Sequence, residues 1–107
     1  MTIFADRVAV SSSTTGTGAM TLGSPLFSYR TWGSAYADGF VYYGIVDEVT
    51  GDWEIGEGDL TVGGTILSRD VVLSSSTGGG LVNFVAGAKV VYSTEPGVSK
   101  NMNMGFF

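Results

Sequence analysis

Six carboxylates, Asp47, Glu48, Asp52, Glu54, Glu57 and Asp59, fall within thirteen consecutive residues and form the densest group of chemically capable side chains in this sequence. Acids grouped this way can bind calcium, which takes several oxygen ligands and accepts loop carbonyls among them. The spacing lacks the alternating acids, central glycine and terminal glutamate of an EF-hand loop. The competing reading is a solvated hairpin face. A pair such as Glu54 and Glu57 could act as acid and base in glycoside hydrolysis, where two carboxylates flank a sugar in a deep cleft. A chain this small, with short turns, has little material for such a cleft.

Other reactive groupings are thinner. Gly16-Thr-Gly18, Gly56-Glu-Gly58 and Gly78-Gly-Gly80 resemble phosphate loops only superficially, because none opens a helix or is followed by Lys and Ser or Thr in the required order. They read as turns. Serines are plentiful, but there is no histidine and no Ser-x-x-Lys pattern to activate one. There is no cysteine either, which excludes disulfides and thiolate metal sites. The missing histidine removes the usual general base, zinc ligand and pH switch. An enzyme is therefore disfavoured, and no cofactor is implied.

Tyr29, Trp32, Tyr36, Tyr42, Tyr43 and Trp53 could form a surface that stacks sugars or anchors a protein contact. Tyr42 and Tyr43 are neighbours in a strand and must face opposite ways. Core packing is the default for Trp53. For Trp32, in a Gly- and Ser-containing segment, core and interface both remain open.

Composition narrows the partners. Ten acidic residues against five basic ones give a net charge of −5, the wrong sign for neutralising phosphates, so nucleic acid is not expected. With 44% hydrophobic and only 14% charged residues, and seventeen glycines, either another chain covers part of the surface or hydroxyls and glycines keep it wet. No apolar run reaches the length of about 18 residues that a membrane helix needs. Met1-Thr-Ile-Phe-Ala-Asp-Arg7 carries no secretion signal, so assembly in a cytoplasm is expected.

The elements that must position these residues are strands. Phe40–Asp47 and Trp53–Gly58 are aromatic and β-branched runs around a Val-Thr-Gly-Asp turn. Gly51 suits a positive φ there, and Asp47 or Asp52 can accept from a backbone amide. Alternation places Trp53, Ile55 and Glu57 on one face and leaves Glu54 exposed on the other. Asp6–Ser13 and Thr17–Leu22 read as a first hairpin, and Leu26–Tyr36 as a helical turn or irregular wrap. Val62-Gly-Gly-Thr65 offers a two-residue hairpin before a strand over Ile66–Leu73, whose Val71-Val-Leu run suggests cover on both faces. Leu81–Val85 and Ala88–Thr94 complete the set. The whole predicts an all-β fold, a small antiparallel β-sandwich or barrel-like domain over residues 6–97, with arms at 1–5 and 98–107. The segments from Arg7 and Arg69 both run from a strand into a Ser-rich, Gly-closed turn. They read as two similar local solutions more readily than as a duplicated half.

The order of these pieces carries a resemblance. Asp6-Arg-Val with Gly16-Thr-Gly18, then Tyr43-x-Ile-Val-Asp47, Trp53-Glu-Ile-Gly-x-Gly58, Thr65-x-Leu-Ser-Arg69, Val72-Leu-Ser-Ser-Ser76, Val82-Asn-Phe and Ala86-Gly-x-Lys89-x-Val-Tyr92 resemble a small structural domain of tailed-bacteriophage virion proteins. That domain occurs alone or within tail-fibre and appendage proteins, and the similarity spans about residues 6–96. This sequence departs from the pattern at Phe27-Ser-Tyr-Arg-Thr-Trp32, where relatives carry a shorter apolar, Gly-rich segment, and at Ala88, a position often hydroxylic.

The resemblance implies a non-enzymatic virion protein, a tail-fibre or appendage adaptor or a capsid decoration protein. Its expected partners are further copies of itself, with a trimer among the options, and capsid, neck or tail proteins. Ile3, Phe4, Trp32, Tyr36, Met102, Met104, Phe106 and Phe107 are the candidate contact residues, since Met and Phe supply adaptable contact area. The acidic hairpin would face outward and discourage edge-to-edge pairing. A carbohydrate-binding module using Trp32 and nearby tyrosines is the alternative.

Overall fold

The computed structural model of the chain describes residues 7–94. It contains strands β1 (Ala9–Ser12), β2 (Met20–Thr21), β3 (Gly39–Asp47), β4 (Trp53–Thr61), β5 (Ile66–Leu67), β6 (Val71–Ser75) and β7 (Lys89–Ser93), and one helical turn, α1 (Trp32–Ala35). The strands pair antiparallel in the order β1-β7-β3-β4-β5-β2, with β6 also paired to β4. The chain after β2 then returns along β1. Gly23 N–H donates to Ser11 O at 2.7 Å, Ser11 N–H to Ser24 O at 2.8 Å and Leu26 N–H to Ala9 O at 3.0 Å. These bonds bring the two ends of the sheet together, and the all-β expectation resolves as a nearly closed barrel.

Closure changes the expected hairpins. β1 pairs with residues 23–26, while β2 pairs with β5 across Met20↔Leu67 and Thr21↔Ile66. The β4–β5 connection is four residues, Val62–Thr65, with positive φ at Val62, Gly63 and Gly64. The run Ile66–Leu73 breaks into β5 and β6, and Val71 is exposed. Residues 81–85 form no strand; Phe84 makes a single bridge to Gly16. The two Ser-rich turns do share a device. Ser12 Oγ accepts from Thr14 N–H at 3.2 Å and Ser75 Oγ from Thr77 N–H at 3.3 Å, a local hydroxyl turn used twice.

The interior is filled by Val10, Met20, Trp32, Val41, Tyr43, Ile45, Leu60, Leu67, Phe84 and Val91. A single helical turn has no stability of its own. α1 is held by its Thr31 cap, by burial of Trp32 and by Gly33 lying against Gly63 and Gly64.

The face assignment of β4 is the reverse of the expected one. Glu54, Gly56, Gly58 and Leu60 point inward and Trp53, Ile55 and Glu57 outward. The inner space beside this strand is already occupied, because a Cβ at Gly56 would strike the Val71 carbonyl and the Tyr43 hydroxyl, and one at Gly58 the Ser68 carbonyl. Glycine is what permits those approaches. Gly58→Ala is therefore expected to destabilise the fold by about 2 kcal/mol or more. Gly80→Ala, with no atom within 4 Å of where a Cβ would stand and no positive φ, should stay within about 0.5 kcal/mol of wild type. Urea midpoints at constant m-value check both.

Candidate functional site

The principal polar site is sealed inside the barrel. Glu54, on β4, is 0% exposed and Arg69, between β5 and β6, is 8% exposed. Arg69 Nε donates to Glu54 Oε2 at 2.9 Å and Nη2 to Oε1 at 2.6 Å, a two-pronged charge-assisted pair. Nη2 also donates to Val82 O at 2.6 Å, and Nη1 to Gly16 O at 3.0 Å and Gly18 O at 3.1 Å. All five guanidinium N–H groups thus have acceptors. The guanidinium also lies over the Phe84 ring at 5.1 Å.

Glu54 is equally well served. Tyr43 Oη donates to Oε2 at 2.6 Å and the Val82 amide to Oε1 at 2.9 Å. Burial pushes the Glu54 carboxyl up, but the bonds from Arg69, Tyr43 and Val82 outweigh it and hold the group below its usual range. Burial, together with the Glu54 carboxylate, drives the Tyr43 phenol far up, so it stays a proton donor. The Arg69 and Glu54 side chains are 1% and 0% exposed. What the network does is fasten residues 16–18 and 82–84, which lie outside the strands and meet at the Gly16–Phe84 bridge, to β4.

Two further buried charged residues stand at the C-terminal end of β3, with no ion pair between them. Asp47 stands opposite Lys89 in register, and both are buried. Asp47 Oδ1 accepts from Val49 N–H at 2.8 Å and Thr50 N–H at 3.1 Å, and Lys89 Nζ donates to Gly87 O at 2.7 Å. The Val49 amide, chiefly, lowers the Asp47 pKa. The hairpin tip therefore has the expected turn chemistry, with Gly51 at φ +83, but Asp47 is not part of an outward acidic face. Among the described residues no three acidic side chains converge on a metal-sized site.

The aromatic candidates separate. Trp32 is 0% exposed, and its indole N–H donates to Val91 O at 3.3 Å, so it is a core residue and offers no contact surface. Tyr36 is half-buried, stacked on Trp32 at 5.5 Å, with its hydroxyl 2.5 Å from Ser93 Oγ. Trp53, expected in the core, stands on the outer face at 36% exposure. Ile3, Phe4, Met102, Met104, Phe106 and Phe107 lie outside the described residues.

One open feature was not anticipated. A shallow cleft on the outer face of β1 and β7 is walled by Arg7, Leu26, Tyr29, Val90 and Tyr92. The Tyr92 ring lies across Gly44, where a Cβ would collide with it. The Arg7 guanidinium sits 4.3 Å from the Tyr29 ring centroid, a cation–π contact, and Nε donates to Ser28 O at 3.1 Å. Arg7 and Ser28 both hold positive φ, +62 and +65. The sequence signal available was Gly44 and Tyr92 in facing strands, which shows only once the register is known.

No family model matches the chain, and no curated protein or solved structure shows significant similarity to it.

Removing one member of the buried pair strands the other, so Glu54→Gln and Arg69→Met are each expected to cost about 3–5 kcal/mol. The double substitution should cost less than the sum of the two, by a double-mutant cycle in urea. Glu54 and Asp47 both carry lowered carboxyl pKa values in the fold. Their contribution is complete above the unfolded range of about 4 and is lost as pH falls through the folded values. Acid titration of Glu54→Gln should show a shallower loss of stability than wild type.

Proposed function

We propose that this chain is a non-enzymatic structural protein of a tailed-bacteriophage virion, a tail-fibre or appendage adaptor or a capsid decoration protein. It would act through contacts among its own copies and with other virion proteins. The observation that carries this reading is where the recognisable motifs fall. Tyr43, Glu54, Arg69 and Val82 belong to one buried hydrogen-bonded network, and Gly56 and Gly58 are buried on the same strand as Glu54. A family held together by such residues shares a scaffold and leaves its surface free to vary.

The surface suits that role. Phe27, Val49, Val62, Val71 and Val85 are each about half exposed or more, which is apolar area a neighbouring chain can cover. Weak contacts repeated over a symmetric assembly become strong through avidity. The carbohydrate-binding alternative would have to use the cleft at Tyr29 and Tyr92, since Trp32 is enclosed.

The test is the chain's place in a purified particle. Quantitative mass spectrometry should find it in many copies, in head or tail, and its absence from particles would overturn the reading. Deleting Val98–Phe107 should leave the circular dichroism of the domain unchanged and lower its occupancy on particles. Undiminished occupancy would dismiss the tail as a docking arm.

A further inference from the structure

Charge is unevenly divided over this surface. Of the cations among the described residues, Arg69 and Lys89 are buried, which leaves Arg7 and Arg30 as the exposed ones. They are joined through the backbone, the Arg30 amide donating to the Arg7 carbonyl, so all the exposed positive charge of this region sits at one corner, by the cleft. Arg7 has no acidic partner and no hydrogen bond to its Nη groups among the described residues. Apolar area adjoins it. Leu26, Tyr29 and Tyr92 wall the cleft, and Phe27, 95% exposed, stands on the turn closed by Tyr29 N–H to Leu26 O at 2.9 Å.

The complementary shape lies elsewhere on the same chain. At the tip of the β3–β4 hairpin, Val49 is 71% exposed between Glu48 and Asp52. The turn beneath it is firmly built, with two amides bonded to Asp47 and Gly51 N–H donating to Asp47 O at 2.9 Å. A copy cannot place this tip in its own cleft. The cleft lies beside the Tyr43↔Ser93 pair, four residues back along β3 from Asp47 and so about 13 Å away along a stiff strand.

We propose that the cleft receives the hairpin tip of a second copy of this chain. Val49 would pack against Leu26, Phe27 and Tyr29 while Glu48 meets Arg7. This rests on the structural reading above and names the surface through which copies meet. Opposite charges at an apolar contact set the register and speed encounter more than they add raw affinity. The contact can be made reciprocally across a two-fold axis or in succession around a ring.

The test is the self-association of the full 107-residue chain by sedimentation velocity. The wild-type chain should associate with rising concentration and more weakly at high salt, where charges are screened. Arg7→Glu and Glu48→Arg, both at exposed positions, should each keep the circular dichroism spectrum and weaken association roughly tenfold, and the double variant should recover to within about threefold. A chain that stays monomeric at all concentrations overturns the proposal, as does an oligomer indifferent to both single variants or a double variant that recovers nothing. A monomer that binds a polyuronate through Arg7 would reassign the cleft to an acidic glycan and equally overturn it. None of these outcomes bears on whether the chain is found in particles, so failure here is distinguishable from failure of the structural reading.

Discussion

Burying a guanidinium and a carboxylate together is the constraint from which much of this small barrel follows. Neither charge is tolerable in the interior unless every donor and acceptor is matched, and Arg69 and Glu54 are matched completely. Meeting that condition draws in carbonyls from residues 16, 18 and 82 and an amide from residue 82. Long connections thereby become walls of the barrel. Space is tight on the inner side of β4 as well, where glycine at 56 leaves room for the Tyr43 hydroxyl and the Val71 carbonyl and glycine at 58 for the Ser68 carbonyl.

The same economy shapes the outside. With Arg69 and Lys89 enclosed, the described exterior keeps Asp38, Glu48, Asp52, Glu57, Asp59 and Asp70 against Arg7 and Arg30. Among the described residues the exposed cations thus lie together on an otherwise acidic surface. Chemistry at the centre would need access that the packing of Phe84, Val82 and Tyr43 denies.

How much of this was legible beforehand differs by element. β3 and its turn were readable, because Asp47, Gly51 and the aromatic and β-branched run Phe40–Asp47 are local signals. The period of β4 was also plain, but its facing was not. Large apolar residues at Trp53 and Ile55 suggested the inner side, and only the distant Arg69 makes Glu54 the inner residue. Glycines two and four places after Glu54 were the available hint. Residues 81–85 looked like a strand through Leu81, Val82, Phe84 and Val85, yet their amide and carbonyl groups are engaged by Glu54, Arg69 and Gly16. Pairings of that kind, and the closure of β1 by residues 23–26, depend on tertiary proximity that periodicity does not encode.

The most direct measurement is hydrogen exchange at the Val82 amide, which sits outside any strand and donates to Glu54. If the buried ion pair organises the barrel, Val82 will exchange only through global unfolding, as slowly as the amides of the β3–β4 ladder. Exchange at the rate of a local opening, orders of magnitude faster than that ladder, would contradict the account.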